Sequence, residues 1–148
     1  MIASACGRGV RLSVIMFDHV DLPELHALFG GAAARSVVSK FNQKVLQLAG
    51  SAGLPVRCGP TTWTLLLPQA SEEAAIAELH NVFGSGLAVE SDASELLLVP
   101  RVAVRTIGRE PVTMRQLHED MTEEIQAAHL RDLRRQKSSR RRAAAACA

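Results

Sequence analysis

LSVIMFDHVD at residues 12–21 and RCGPTTWTLLLP at residues 57–68 are the two stretches on which the fold turns. Leu12 to Phe17 is a run apolar but for Ser13, short enough for a strand buried on both faces, and it stops at Asp18. Asp21, Pro23 and Glu24 follow as an N-cap, a first-turn proline and an acid near a helix's positive end, so a short helix is expected to Phe29. Beyond Gly30-Gly31, Val37, Val38, Phe41, Val45 and Leu48 fall on one helical face, with Gly50 as a stop. The sequence leaves open whether Gly30 breaks or only bends this helical region.

In the second stretch and just before it, Leu54 to Cys58 and Trp63 to Leu67 flank Gly59-Pro60-Thr61-Thr62, the pattern of a hairpin closed by a short turn. Ser71, Glu72 and Glu73 start a helix with Ile76, Leu79, Val82 and Phe83 on its apolar side. Strand-like segments at 95–99 and 101–107 come next. Thr113 and Gln116 then form a capping-box pair for a last helix carrying Leu117, Met121, Ile125 and Ala128. This order predicts an α/β (α+β sandwich) fold: a ferredoxin-like split βαβ core, with a central, mainly antiparallel sheet and flanking helices on one face.

The net charge of +2 hides a partition. Seven of the 17 Lys and Arg lie between Arg131 and Arg142, with Asp132 as the only acid there; residues 1–130 hold 10 bases against 14 acids. The chain therefore divides into an N-terminal segment (1–10), a mildly acidic domain (11–130), and a basic tail (131–148) expected to be disordered. No apolar stretch approaches the roughly 18–20 residues of a membrane helix. Five residues before Cys6 leave no room for a secretory signal. Cys6, Cys58 and Cys147 are odd in number and far apart, which excludes a disulfide framework and fits a reducing cytoplasm. The histidines show no metal-ligand spacing. Cys58 is expected to be an inert, half-buried thiol and Trp63 a core residue.

The two stretches, with the helix end LFG at 28–30, resemble GGDEF domains, the diguanylate cyclase family, over roughly residues 11–130. In that family a first strand ends in Asp, a helix closes on an aromatic-Gly pair, and a hairpin reads Arg, any residue, Gly-Gly-Asp/Glu-Glu-Phe before an apolar strand ending in Pro. Asp18, Phe29-Gly30, Arg57, Gly59 and Leu65 to Pro68 match that pattern, and Thr106-Ile107-Gly108 resembles its penultimate strand end. The signature itself is replaced by Gly59-Pro60-Thr61-Thr62-Trp63. The resemblance implies carboxylates that hold two divalent ions, and threonine hydroxyls bring no charge to such a site. By the same resemblance His26 and Ala27 replace the residues that read a guanine edge, Pro23 replaces a lysine, and Gly50 and Gly53 replace the charges of a product-binding site.

Asp18, His26, Ala27, Gly59, Pro60, Thr61 and Thr62 are therefore expected to be vestigial metal and nucleotide positions. The expectation is a catalytically inactive, degenerate GGDEF-like domain, not an enzyme and without a cofactor. It would act by protein contact in bacterial cyclic-di-GMP signalling, on an active cyclase or on itself as a dimer. One alternative is a nucleotide sensor with a pocket remodelled around Asp18, His26 and Thr61. Another is a nucleic-acid or membrane-surface adaptor working through Arg134, Arg135, Lys137, Arg140, Arg141 and Arg142. The tail lacks aromatic residues for stacking on bases, so nucleic acid is the less expected partner.

Overall fold

A computed structural model describes residues 11–19, 21–59, 61–84, 89–91, 94–98, 100–108 and 112–146; for 89–91, 94–98 and 133–146 it describes the backbone alone. Strand β1 (Leu12–Asp18) is followed by helix α1 (Leu22–Ala49), β2 (Leu54–Arg57), β3 (Thr62–Pro68) and α2 (Glu72–Phe83). Then come β4 (Val89–Ser91), β5 (Ser94–Leu98), β6 (Arg101–Ile107) and α3 (Met114–Ala146). The main sheet has the order β2-β3-β1-β6, with every neighbouring pair antiparallel. This is the split βαβ arrangement that the order of elements predicts.

β1 lies at the centre of the packing. Alternation sends Ile15 and Phe17 to one face, where they meet Phe41, Val45 and Leu48 of α1 and Leu79, Val82 and Phe83 of α2. Leu12, Val14 and Met16 go to the other face, against Leu117, Met121 and Ile125 of α3. The helices therefore cover both faces of the sheet, not one as the element order alone suggested. A strand apolar on both sides requires cover on both. Ser13 is tolerated in this setting because its hydroxyl donates to Ala70 O at 3.0 Å and pairs with Thr106 Oγ1 at 2.8 Å.

Two further elements differ from the sequence reading, and a third answers a question it left open. Of the segment expected at 95–99, Val99 lies outside the described residues and the rest belongs to β5, which among the described residues pairs with β4 in a separate hairpin. α3 continues through the basic segment to Ala146, where a disordered tail was expected. Alanine, arginine and lysine are strong helix formers, so backbone preference carries the helix onward. In α1, Gly30 adopts φ 82° and ψ 169°, a conformation that glycine reaches easily and that interrupts the helix. α1 is therefore two helical halves meeting at Gly30. Among the described residues no helix is long and apolar enough to cross a membrane.

Candidate functional site

At the end of β1, Asp18 stands opposite Thr62 of β3 and Arg101 of β6. Directly paired residues of antiparallel strands share a face, and this is the α3 face, two residues on from Met16. Asp18 Oδ1 is buried without a hydrogen-bond partner, while Arg101 forms its ion pair with Asp132 of α3 at 2.7 Å. Two divalent ions would need several anionic oxygens in place of Thr62 and the cationic Arg101. These side chains do not fit such a pair of ions. Among the described residues no three His, Cys, Asp or Glu side chains form a group able to hold a metal.

The hairpin turn is organised by backbone bonds. The N–H groups of Cys58 and Gly59 donate to Thr62 O at 3.0 and 3.2 Å, and His19 N–H donates to Thr61 O at 2.9 Å. Pro60 lies outside the described residues. Cys58 is exposed, not half-buried, because it follows the last residue of edge strand β2. Gly50 and Gly53 close α1: Gly50 has φ 56°, and a Cβ on Gly53 would stand 2.6 Å from Ala49 O. Both positions are thereby committed to the chain reversal.

A concavity opens on the other face, between α1 and the β2–β3 hairpin, with a volume of about 500 Å³. Its floor is His19, beside Leu22, Ala34 and Val38. His26, Gly31 and Arg35 form one rim, and Arg57 and Trp63 the opposite wall. The guanidinium of Arg57 lies 5.8 Å from the centre of the Trp63 ring, and Trp63 also packs against the core, so it is both wall and core residue.

His19 is 1% exposed, its ring stands edge-on to Phe41 with centroids 4.0 Å apart, and neither ring nitrogen has a hydrogen-bond partner. Burial lowers its pKa from 6.5 to about 4, so the imidazole is neutral at physiological pH and offers one donor and one acceptor. Asn42, also in the lining, has a buried Oδ1 without a partner.

Of the expected vestigial positions among the described residues, His26 alone lines this pocket, together with Arg57 and Trp63 from the hairpin pattern. Asp18, Gly59, Thr61 and Thr62 sit at the strand end and in the turn, and Ala27 is an exposed residue on α1. His19, Arg35 and Asn42 were missed. The signal for Arg35 and Asn42 is their helical spacing from Val38. Arg134, Arg135, Lys137, Arg140, Arg141 and Arg142 belong to the part of α3 described by its backbone alone.

No family model matches the sequence, and no curated protein matches it. Solved structures do. The active GGEEF domain of a diguanylate cyclase from Vibrio cholerae superposes with a TM-score of 0.75 at 12% identity, covering 87% of this chain and 83% of that one. The GGDEF domain of TpbB (YfiN) from Pseudomonas aeruginosa gives 0.72 at 18% identity, covering 88% and 77%. Diguanylate cyclase SiaD from the same organism, solved with its activator SiaC, gives 0.69 at 19% identity, covering 86% of this chain and 51% of SiaD. The chain has the GGDEF-domain fold. The expectation that it is not an enzyme is corrected by these matches, because the fold is shared with cyclase domains, one of them described as active.

Proposed function

We propose that this GGDEF-fold domain serves cyclic-di-GMP signalling through protein contact, binding an active cyclase or a second copy of itself and changing its output. The observation that carries this reading is a complete sheet-and-helix framework whose β1 end sets Asp18 against Thr62 and Arg101. A framework kept in that form still offers its surfaces, including the exposed Leu28 and Phe29 on α1. SiaD, a cyclase of the same fold, is itself found with a protein activator. A cytoplasmic site of action fits this reading, since the nucleotide substrates of cyclases are there.

The test is to titrate the full chain into an active diguanylate cyclase and follow conversion of GTP to cyclic-di-GMP, alongside sedimentation of the mixture and of the chain alone. A heavier species and a concentration-dependent change in turnover are expected, after subtracting the chain's own turnover. Unchanged sedimentation and turnover overturn the reading.

A second reading, a ligand sensor, is favoured by a specific observation: His19 and Asn42 present unpartnered polar atoms to a pocket of nucleotide size. Calorimetry of the full chain with GTP, GMP and cyclic-di-GMP is expected to show binding of at least one. Absence of heat at millimolar ligand counts against the sensor.

A further inference from the structure

α3 buries one of its sides. Leu117, Met121 and Ile125 pack against the sheet, and Asp132 continues the same stripe to its ion pair with Arg101 of β6 at 2.7 Å. On the opposite side Gln116, Asp120, Glu123, Ala127 and Leu130 are all exposed, Leu130 by 55%. These five positions recur at spacings of four, three, four and three residues, the repeat that keeps a common seam between two helices. Because the helical backbone runs on to Ala146, the same repeat continues through positions 134, 137 and 141, which hold Arg, Lys and Arg.

This outer seam is divided in sign. Asp120 and Glu123 make its first half acidic, Ala127 and Leu130 stand in the middle, and the second half is basic. Asp120 accepts a hydrogen bond from Gln116 Nε2 at 2.8 Å, and neither Asp120 nor Glu123 forms an ion pair among the described residues. Turned end for end about the point midway between Ala127 and Leu130, the seam is its own complement. Glu123 then falls opposite Arg134, Asp120 opposite Lys137, Gln116 opposite Arg141, and Leu130 opposite Ala127. A two-fold interface requires a surface that complements itself in this way. A parallel alignment would set acid on acid and base on base, so charge fixes the orientation.

We propose that the chain pairs with a second copy of itself through an antiparallel α3–α3 contact, in which the basic half of each helix covers the acidic half of the other. The proposal rests on the protein-contact reading and names its surface and its partner. The paired stretch from 116 to 141 is about 38 Å long at the rise of an α-helix. Its apolar contact is confined to the middle, around Ala127 and Leu130. Charge therefore supplies most of the attraction, and added salt weakens the pair.

The test is sedimentation of the full chain at high micromolar concentration in low and in high salt. A dimer is expected in low salt, dissociating as salt is added. Glu123→Arg and Arg134→Glu each set like charges opposite one another twice in the pair, and each is expected to weaken self-association by about tenfold or more. An equimolar mixture of the two variants restores both oppositions and is expected to associate as the parent chain does. Circular dichroism verifies the fold of each variant. A parent chain that stays monomeric in low salt, variants that associate as well as the parent, or a mixture that does not recover each overturn the helix pair. Retention of a monomeric parent chain by duplex DNA assigns the basic half to a polyanion and overturns it as well. If the helix pair fails while the chain still changes the turnover of an active cyclase, the protein-contact reading stands. If the chain neither self-associates nor affects the cyclase, both are wrong.

Discussion

Phe41→Ala is expected to cost about 3–5 kcal/mol of folding stability, read as a lower denaturant midpoint at unchanged slope. Phe41 is 0% exposed and connects three elements. Its ring meets Phe17 of β1 edge-on at 5.3 Å between centroids, Phe83 of α2 at 5.5 Å, and His19 at 4.0 Å. Truncation removes the packing of all three neighbours at once and leaves a cavity where the sheet meets both helices of that face. Leu28, 67% exposed on the same helix, supplies the contrast: Leu28→Ala is expected to stay within about 0.5 kcal/mol of the parent. A Phe41→Ala loss below about 1 kcal/mol would mean that the aromatic cluster is not the centre of the core. The consequence reaches the pocket, because the cavity opens directly beside His19 and removes the wall that keeps water from its ring.

The sequence displayed the sheet well because β1 and β3 carry their burial in their composition. A run such as Leu12 to Phe17 has few other uses in a chain of this size, and the turn residues before Thr62 fix where the partner strand starts. Layering was harder to read. Which helix covers which face depends on alternation within β1, and a run apolar on both sides does not say where each helix goes. In α3 the high charge that suggests disorder comes from residues that are also good helix formers, and the backbone runs as helix to Ala146.

The site was legible only in part, since it is built from side chains distant in sequence. Asp18 and His19 are neighbours, yet Asp18 belongs to the α3 face and His19 to the pocket. No motif marks Arg35, which reaches the rim because Gly30 turns the helix and Gly31 leaves room for the guanidinium. The conformation of a single glycine is a tertiary outcome, and periodicity alone does not choose between a bend and a break.

Acidification is expected to destabilise the fold through His19 over a defined interval. Its pKa is lowered by burial from 6.5 to about 4 in the folded chain. Between those values the unfolded chain binds a proton that the native chain does not, so stability falls as pH drops through 6.5 and the loss is complete near pH 4. At 1.36 kcal/mol per pH unit the full effect approaches roughly 3 kcal/mol, and above pH 7 the group contributes no pH dependence. Carboxylates titrate in the lower part of the same interval, so urea unfolding of the parent chain is compared with that of His19→Leu at each pH. The stability difference between the two is expected to shift in favour of the variant by about 2 kcal/mol between pH 7.5 and pH 4.5. An imidazole signal of His19 titrating near 6.5 in the folded chain, or a difference that does not change with pH, would overturn the assignment. Polar substitution offers a further discrimination: His19→Gln keeps hydrogen-bonding capacity at the pocket floor but cannot titrate, so it should lose the pH dependence as fully as leucine does.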